Sequence, residues 1–595
     1  MCRIAGLINP SMPVAEMESV VKEMCTVQKH GGPDDEGMFT DVDNHLVLGH
    51  RRLSLIDLSA AGHQPMSYGD GRYTISYNGE LYNYLELKEK LQKAGAAFTT
   101  HSDTEVILAA FAHWGVAAFQ QFNGMFAFAL WDNQKGAVYL VRDPAGIKPL
   151  YFAHTKEGLA FASEVRAFKG LPYLQETNPH WQVYLMAYGH LPEPVTTLKE
   201  VQPLKKGWFL HYNVQSGECR QEPFNRFNYV EQINDRQQAI ELVQQSLAAS
   251  VKRHLLSDAP IGVFLSGGLD SSIIASLANK EIKNLNTISL VFDEALYSEK
   301  KYQDMVQLGL QGQQHQHLLK EADFHADMPA IMQAMDLPCS DGINTWFISK
   351  YARQQGLKAV LSGIGGDELF GGYPSFNRIA TALQVKQYLP PAMLRNSRLP
   401  GLRKLRRLCY LSLPGSVGMY LFLRGQFIPS EIAAYLDMPE PAVWDILQQQ
   451  PQVPDIANLT PKNQASWLET NLYMQNQLLR DADVMSMAHG VEIRVPFLDA
   501  NFLKLVLQLC SNIKYPGSFN KQLLIDSFKE EIPAAVWNRP KMGFSFPFKE
   551  WLGNNRYADG KPGSKTALFH KEFTRGNLHW SQFFTIYLME HQLHA

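Results

Sequence analysis

The sequence predicts two domains: a layered α+β domain, followed by an α/β domain with a doubly wound parallel sheet. Three observations lead to this prediction. The chain has 595 residues, which is too long for one hydrophobic core. About the first 225 residues are rich in short apolar runs separated by Gly, Asn and Asp turns. After a polar passage at 211–235, which we interpret as the linker, strands alternate with helices.

The amino-terminal part is predicted to contain many strands and few helices. In "RYTISYNGELYNY" (72–84), Tyr73, Ile75 and Tyr77 alternate with polar residues, as in a half-buried strand. "NQKG" (133–136) lies between two apolar runs and is typical of a hairpin turn. Helices are predicted over 17–30, 84–95 and 103–115. Strand-rich sheets covered by a few helices favour a layered α+β domain.

The second part is predicted to alternate between helix and strand. An amphipathic helix over 236–255 precedes a strand at 260–265, a helix at 271–280 and a strand at 285–292. "KAVLSGIGGDELF" (358–370) again leads a strand into a loop. This alternation is typical of a parallel, doubly wound sheet. The residues beyond about 555 begin like a loop and indicate no function.

Composition excludes several classes of protein. A net charge of −3 argues against a general nucleic-acid binder, and we interpret the basic run 395–408 as a solvated helix face. The six cysteines lie far apart without a CxxC pair, which excludes common zinc spacings and makes a disulfide framework improbable. No apolar stretch approaches the ~18 residues of a membrane span. We therefore expect a cytoplasmic protein without membrane or nucleic-acid partners.

The loop "SGGLDSS" (266–272) predicts a phosphate site, because its glycines let the backbone approach a ligand and a helix begins directly after it. The Walker A pattern is absent. Asp270, Asp367 and Glu368 each follow a predicted parallel strand, and carboxylates beside phosphates require a bridging cation such as Mg²⁺. Arg539 and Lys541 could add positive charge. A tight turn of small residues is the structural alternative to an ATP site with a metal.

The first residues, "MCRIAGLI", permit two interpretations of Cys2. The thiol could serve as one more small apolar group at the start of a buried strand. Alternatively, removal of Met1 would leave a thiol and a free α-amine on the same residue. An α-amine titrates near pH ~7.7–8.0, so it could act as a base beside the nucleophile.

Several motifs resemble the glutamine-hydrolysing asparagine synthetase family. In the first part they are "MCRIAG", "GGPDDEG" (31–37), "HRRLSLIDLS" (50–59), "YNGELYNY" (77–84), "SDTEV" (102–106) and "RDPAGIKPLYF" (142–152). In the second part they are "SGGLDSS", "LSGIGGDELFGGY" (361–373), "LLRDADVMSMAHGVEIRVPFLD" (478–499) and "NRPKMGF" (538–544). The resemblance covers nearly all of residues 1–552.

The resemblance implies a domain organisation and a reaction. Residues 1–225 would form an αββα sandwich of the N-terminal-nucleophile type, and residues 226–555 an ATP-pyrophosphatase synthetase domain. Residues 556–595 would be a tail of unknown role. The enzyme would be a carbon–nitrogen ligase that takes ammonia from glutamine and joins it to an adenylated carboxylate, most simply L-aspartate.

The resemblance also assigns roles in the first domain. Cys2 would be the nucleophile that attacks the glutamine amide. Asn78 and Gly79 would donate hydrogen bonds to the oxyanion, where one donor typically contributes ~10²–10³ in rate. Arg51 would bind the glutamine α-carboxylate, and Glu80 and Asp103 its ammonium group. A surface ion-pair cluster is the alternative for these three charged residues.

In the second domain the resemblance implies that ATP is split between its α and β phosphates. Lys541 would neutralise charge on the phosphates, and Asp270 and Asp367 would bind Mg²⁺. A sealed passage for ammonia between the two sites is predicted, without assignable residues. The ATP-binding residues would be Leu265, Ser266, Gly267, Gly268, Asp270, Ser271, Ser272, Val291, Ser362 and Gly363.

Two positions depart from the family pattern. Ile364 stands where the family commonly has an acidic residue that could take a proton from ammonia, and Leu337 replaces the acidic residue of a "DEP" block. A different carboxylate, such as a sugar acid, peptide or secondary metabolite, is therefore the alternative acceptor. A regulatory protein with an inactive synthetase half is a third option. The partners would be small molecules, and a homodimer is compatible with the sequence.

Overall fold

Two antiparallel six-stranded sheets, A and B, form the first part of the chain. The structure is a computed structural model that describes residues 2–395, 406–449, 454–517, 519–543, 546–558 and 564–592. Most of the basic run 395–408 lies outside these residues, as does Met1. In spatial order, sheet A contains β10 (Gln202–Pro203), β8 (Tyr151–Thr155), β9 (Gly158–Ala162), β1 (Arg3–Ile8), β3 (Leu46–Arg52) and β2 (Asp35–Asp41). Sheet B contains β12 (Cys219–Pro223), β11 (Trp208–Asn213), β7 (Ala137–Arg142), β6 (Gly124–Asp132), β5 (Tyr73–Leu81) and β4 (Met66–Tyr68).

The two sheets pack face to face between layers of helix. Ile4 and Leu48 of sheet A share one apolar cluster with Ala129 and Leu140 of sheet B. Helix α1 (Val14–Val27) covers the outer face of sheet A, and helices α2 (Tyr84–Lys93) and α3 (Asp103–Trp114) cover that of sheet B. The αββα sandwich and all three helices are therefore confirmed, as is the hairpin turn at 133–136, which joins β6 to β7.

The interpretation of 211–235 as a linker is wrong for its first part. Strands β11 and β12 pair with each other across residues 208–223 and extend sheet B. Leu210 and Tyr212 are buried, but most of β12 is exposed because this strand forms the sheet edge. An exposed edge strand has a polar sequence, and this polarity made the segment resemble a linker.

The second part is built on a five-stranded parallel sheet whose order reverses next to its first strand. In spatial order the strands are β15 (Gly312–Leu318), β14 (Leu285–Val291), β13 (Ile261–Phe264), β16 (Ala359–Leu361) and β17 (Glu492–Arg494). Because the chain first moves from β13 toward β15 and then returns to the other side of β13, right-handed crossovers place helices on opposite faces. The doubly wound prediction is confirmed, with the switch point between β13 and β16.

Helices surround the parallel sheet and extend to the end of the described chain. None of the described helices is long and apolar enough to cross a membrane. Residues Glu469–Leu479 form a π-helical segment that joins the helix Pro461–Leu468 to the helix Arg480–Met487. The remaining helices are α4 (Trp181–Tyr188), α5 (Arg236–His254), α6 (Leu269–Glu281), α7 (Lys300–Gln307), α8 (Glu321–Ala334), α9 (Ile343–Gln354), α10 (Gly366–Phe370), α11 (Ser375–Tyr388), α12 (Pro391–Arg395), α13 (Gly415–Arg424), α14 (Pro429–Leu436), α15 (Glu440–Gln448), α16 (Pro461–Leu468), α17 (Arg480–Met487), α18 (Ala500–Gln508), α19 (Ser511–Lys514), α20 (Gln522–Phe528), α21 (Ala534–Trp537), α22 (Phe548–Trp551), α23 (Lys565–Thr574) and α24 (Trp580–Gln592).

The last two helices belong to the packed core. Phe583 and Phe584 of α24 are buried in the cluster around the parallel sheet, and Ile586 is buried in a second cluster that includes α4. Residues 564–592 therefore join the two parts of the chain, although their sequence indicated no role.

We expect Leu140→Ala to lower the free energy of unfolding by ~2–5 kcal/mol, because Leu140 is fully buried between the two sheets and its truncation leaves a cavity. Leu85→Ala on α2 is the matched control, since Leu85 is 53% exposed and its loss should cost less than ~0.5 kcal/mol. Thermal unfolding of the two variants measures the difference. Equal melting temperatures would contradict the sandwich core.

Candidate active site

Cys2 lies directly before β1, where sheet A meets β5 of sheet B. The residue is 7% exposed, and its backbone N–H donates to the Asn78 side-chain oxygen at 3.2 Å. The Cys2 Sγ lies 4.0 Å from the carbonyl oxygen of Leu53. The Nδ2 of Asn78 is buried and has no hydrogen-bond acceptor among the described residues. A buried amide donor without an acceptor is costly, so this N–H₂ group is suited to an oxygen that a ligand brings.

Gly79 follows Asn78 where β5 runs very close to β6. A Cβ at this position would lie 2.2 Å from the carbonyl oxygen of Met125. Only glycine fits this spacing, because any side chain here would collide with the β6 backbone. The structure thus brings Cys2, Asn78 and Gly79 together, as the motifs predicted.

The three predicted glutamine-binding charges have different environments. Arg51 on β3 forms an ion pair with Glu36 on β2, and the Arg51 Nε is buried without an acceptor among the described residues. Asp103 at the start of α3 accepts hydrogen bonds from the Tyr77 hydroxyl at 3.0 Å and from a β5 backbone N–H. Burial raises the pKa of Asp103 to about 6. The Arg51 Nε therefore retains capacity for an acceptor that a ligand brings.

Glu80 has a partner in the second part of the chain. Its carboxylate lies 3.2 Å from the Arg494 guanidinium, which also binds Glu492 at 2.6 Å. Burial, and after it the charge of Glu492, raises the pKa of Glu80 well above its usual value. Glu80 thus contributes to the contact between the two domains, which its motif did not reveal.

Arg3 forms another buried contact between the domains. This residue follows Cys2, is fully buried, and binds Glu164 at 2.7 Å and Asp483 of α17 at 2.9 Å. Lys148 also faces Asp483, at 3.6 Å. Apolar residues from both domains pack alongside: Leu53, Leu55, Ala259, Ala359 and Met487. Cys2 therefore immediately precedes a residue that is buried against the second domain.

A cavity of about 690 Å³ lies at the switch point of the parallel sheet. The loops after β13 and β16 form its floor, in the place where open α/β sheets bind ligands. The predicted ATP-binding residues that line this cavity are Ser266, Gly268, Asp270, Ser271, Ser362 and Gly363. Leu265, Gly267, Ser272 and Val291 are not among its lining residues. The Ser272 hydroxyl instead donates to the Gly268 carbonyl oxygen at 2.7 Å and shapes the loop.

Asp270 and Asp367 face each other in this cavity with Lys521 between them. Lys521 forms ion pairs with both carboxylates, and Lys541 lies 2.7 Å from the second oxygen of Asp367. Burial opposes the charge on Asp367, but the two lysines lower its pKa to about 2. Burial raises the pKa of Asp270, and Lys521 opposes this. A Cβ on Gly366 would lie 2.5 Å from the Asp270 Oδ1, so glycine is required for this arrangement.

These residues fit a divalent cation that shares its ligands with a phosphate. The Asp270 Oδ1 is buried and has no hydrogen-bond donor among the described residues. Within the part of the chain that the structure describes, no group of three or more His, Cys, Asp or Glu residues could hold a metal alone. Mg²⁺ commonly uses one or two carboxylates with phosphate oxygens, which matches this pair.

Sequence reasoning missed Lys521 and the second pair of acids in the cavity. Lys521 stands alone before α20 and belongs to no motif, so no signal in the sequence could have identified it. Asp341 and Asp481 also line the cavity, as does Ile364, the residue that departs from the family pattern. Burial raises the pKa of Asp481 to about 7. Leu337, in contrast, is packed in an apolar cluster between the domains.

Comparison with known proteins matches both parts of the chain. The family model described as "Glutamine amidotransferase domain" matches residues 1–225, and the model described as "Asparagine synthase" matches residues 242–572. "Asparagine synthetase (glutamine-hydrolyzing) 1" of Bacillus subtilis is 31% identical over 96% of this chain and 92% of its own length. "Asparagine synthetase (glutamine-hydrolyzing) 2" of the same organism is 28% identical over 92% of this chain and 72% of its own. "Amidase chry2" of Gibberella zeae is 26% identical over 93% and 90%, respectively.

We expect Lys521→Gln to destabilise the second domain by ~3 kcal/mol at pH 7.5, because two facing carboxylates lose their shared cation. In the wild type the low pKa of Asp367 stabilises the fold above about pH 4, and this contribution is lost as the pH falls toward 2. In the variant the carboxylates repel each other and their pKa values rise. The difference in melting temperature should therefore shrink between pH 7.5 and pH 5.

The control for this experiment is Lys300→Gln, which removes an exposed i,i+4 pair with Asp304 and should cost less than ~0.5 kcal/mol. A pH-independent loss of stability in Lys521→Gln would show that the lysine does not act through the two carboxylates.

Proposed function

The chain belongs to the asparagine synthase family and carries a glutamine amidotransferase domain at its amino end, and from this we propose that it makes asparagine from aspartate, glutamine and ATP. Glutamine would be hydrolysed to glutamate and ammonia in the first domain. In the second, aspartate would be adenylated with release of pyrophosphate, and ammonia would displace AMP. The reaction is that of a glutamine-hydrolysing carbon–nitrogen ligase.

Hydrolysis of glutamine would begin at Cys2. Burial raises the pKa of the Cys2 thiol, so the thiol is protonated at neutral pH and requires a base. Removal of Met1 would convert the Cys2 backbone nitrogen into an α-amine, which can take that proton. The sulfur bonds to the amide carbon. The α-amine returns its proton to the amide nitrogen as the carbon–nitrogen bond breaks, and ammonia departs. Water then hydrolyses the thioester that remains on Cys2.

The neighbouring groups would stabilise the tetrahedral oxyanion and hold the substrate. The Asn78 Nδ2 has no other acceptor among the described residues and lies beside Cys2, which supports a role as an oxyanion donor with the Gly79 N–H. Arg51 would exchange Glu36 for the glutamine α-carboxylate, and Asp103 would bind its ammonium group. Glu80 would contribute to this ammonium site while it remains paired with Arg494.

Adenylation would take place in the cavity at the sheet switch point. A carboxylate oxygen of aspartate bonds to the α-phosphorus of ATP as the bond to pyrophosphate breaks. Ser266, Gly268 and Ser271 would donate hydrogen bonds to the departing phosphates, and Lys541 would neutralise their charge. Asp270 and Asp367 would hold Mg²⁺, whose charge further offsets that of the phosphates.

Ammonia must reach the acyl-adenylate in its unprotonated form. The position of helix α17 is the observation that carries this proposal. Asp483 of α17 binds Arg3, the neighbour of the thiol, while Asp481 two residues earlier lines the nucleotide cavity. One short helix thus lines the nucleotide cavity and also contacts the residue next to Cys2. This supports direct transfer through the interior, where water is excluded.

We further propose a cytoplasmic enzyme that acts on small molecules, and a homodimer as its assembly. The division into residues 1–225, 226–555 and 556–595 remains part of this proposal.

We expect Cys2→Ala to abolish glutamine-dependent asparagine formation while ammonia-dependent formation continues at the wild-type rate. Both rates are measured by chromatography of asparagine with aspartate and ATP present, and AMP release is followed in parallel. The Cys219→Ala variant is the control, because Cys219 lies in β12 at the outer edge of sheet B. Asparagine formation from glutamine by Cys2→Ala would contradict the nucleophile, and no asparagine from either nitrogen source would contradict the proposed function.

We expect Asn78→Ala to reduce glutamine hydrolysis by ~10²–10³ through kcat, since the donor acts on the oxyanion and not on the bound substrate. Release of glutamate measures the rate. Asn133→Ala in the exposed hairpin turn is the matched control and should behave as wild type. A change in KM alone would instead assign Asn78 to substrate binding.

A further inference from the structure

A second cavity of about 680 Å³ adjoins the nucleotide cavity. The two cavities share Asp341 and Tyr473 in their walls. The Arg424 guanidinium stacks on Tyr473 at 3.5 Å and on Tyr373 at 4.4 Å, and this stack lies where the two cavities meet. Cavities of ~300–1,000 Å³ hold drug-sized ligands, so each of the two can hold a molecule much larger than aspartate.

The lining of the second cavity combines aromatic rings with hydrogen-bonding groups. Tyr420 and Trp580 supply rings, and Gln426, Gln477 and Ser581 supply amides and a hydroxyl. The Tyr420 residue is 1% exposed, and its hydroxyl has no hydrogen-bond partner among the described residues. A buried hydroxyl without a partner is costly, so this lining is suited to a polar ligand.

The cavity also contains a cation without a carboxylate partner. Arg407 donates hydrogen bonds to the backbone carbonyl oxygens of Leu423 and Gly425, at 3.4 and 2.9 Å, and makes no ion pair within the described residues. Arg424, in contrast, is neutralised by Glu469 at 2.6 Å. Arg407 therefore leaves a positive charge that an anionic group could balance.

The wall opposite α13 comes from residues 577–582, at the start of α24. The "Asparagine synthase" family model ends at residue 572, so this wall lies beyond the residues that the model matches. The hydrogen bond from the Gln582 side chain to the Gln426 backbone oxygen, at 2.8 Å, fixes the wall against the rest of the domain. The cavity is thus built partly from residues beyond the family-model match.

We propose that the second cavity is the outer half of the acceptor site, and that the enzyme adenylates carboxylic acids longer than aspartate whose far end carries a second negative group. This rests on the proposed function, since the reacting carboxylate lies in the nucleotide cavity. The acid extends past Tyr473, its polar body contacts Tyr420 and Trp580, and its far anion binds Arg407. The far anion can be a carboxylate, as in an acidic peptide, or a phosphate, as in a sugar-acid phosphate.

The test is ATP–pyrophosphate exchange by the full-length enzyme with three acids: aspartate, the dipeptide aspartyl-glutamate and glucuronic acid 1-phosphate. We expect one of the two longer acids to support exchange with a kcat/KM at least equal to that of aspartate. The dipeptide and the sugar phosphate distinguish the two sources of the far anion. Arg407→Gln should raise the KM of the longer acid about tenfold with kcat unchanged.

Ser581→Trp places an indole in the outer cavity and should lower the ratio of kcat/KM for the longer acid to that for aspartate at least tenfold. Ser11→Trp, on an exposed turn of the first domain, is the matched control and should leave this ratio unchanged. Circular dichroism and glutamine hydrolysis show that both variants fold.

The outer acceptor site would be overturned if only aspartate supported exchange and the exchange rate were equal in the wild type and both tryptophan variants. That result would leave the proposed function intact. The absence of exchange with all three acids would instead overturn the proposed function.

Discussion

The buried charge of Arg3 is the constraint on which the arrangement of the chain depends. A guanidinium without contact with water is tolerated only when carboxylates surround it, and here one comes from each domain: Glu164 and Asp483. Because Arg3 begins β1 directly after Cys2, docking of the second domain also restrains the backbone next to the thiol. The same contact therefore stabilises the domain interface and the chain beside the proposed nucleophile.

The second site depends on an equivalent balance of charge at the sheet switch point. Two loops bring Asp270 and Asp367 close together because Gly363 and Gly366 leave room for the first carboxylate. Lys521 then compensates the repulsion between the two acids in the absence of substrate. Binding of a nucleotide with its cation would replace this lysine as the compensating charge, so the site is ordered before the substrate arrives.

Much of the fold could be predicted from the sequence, because strand alternation, turns and strand–helix alternation are local properties. The site residues carried by motifs, such as Asn78 and the 266–272 loop, were also accessible. What could not be predicted depends on contacts between distant segments: Lys521 between two acids, Glu80 against Arg494, and Phe583 in the core. The hairpin at 208–223 was missed because a sheet edge and a linker are both polar. Local sequence does not distinguish a solvent-facing strand from a connector.

Helix α17, which binds Arg3 and lines the nucleotide cavity, has a consequence for dissection of the protein. Residues 1–225 produced alone would expose Leu53 and Leu55 and would leave Arg3 with one of its two carboxylates. Such a fragment would be prone to aggregate and would hold its thiol loosely. The two catalytic halves cannot be exchanged like independent modules. A chimera with another ligase would need to include the helix that matches the first domain.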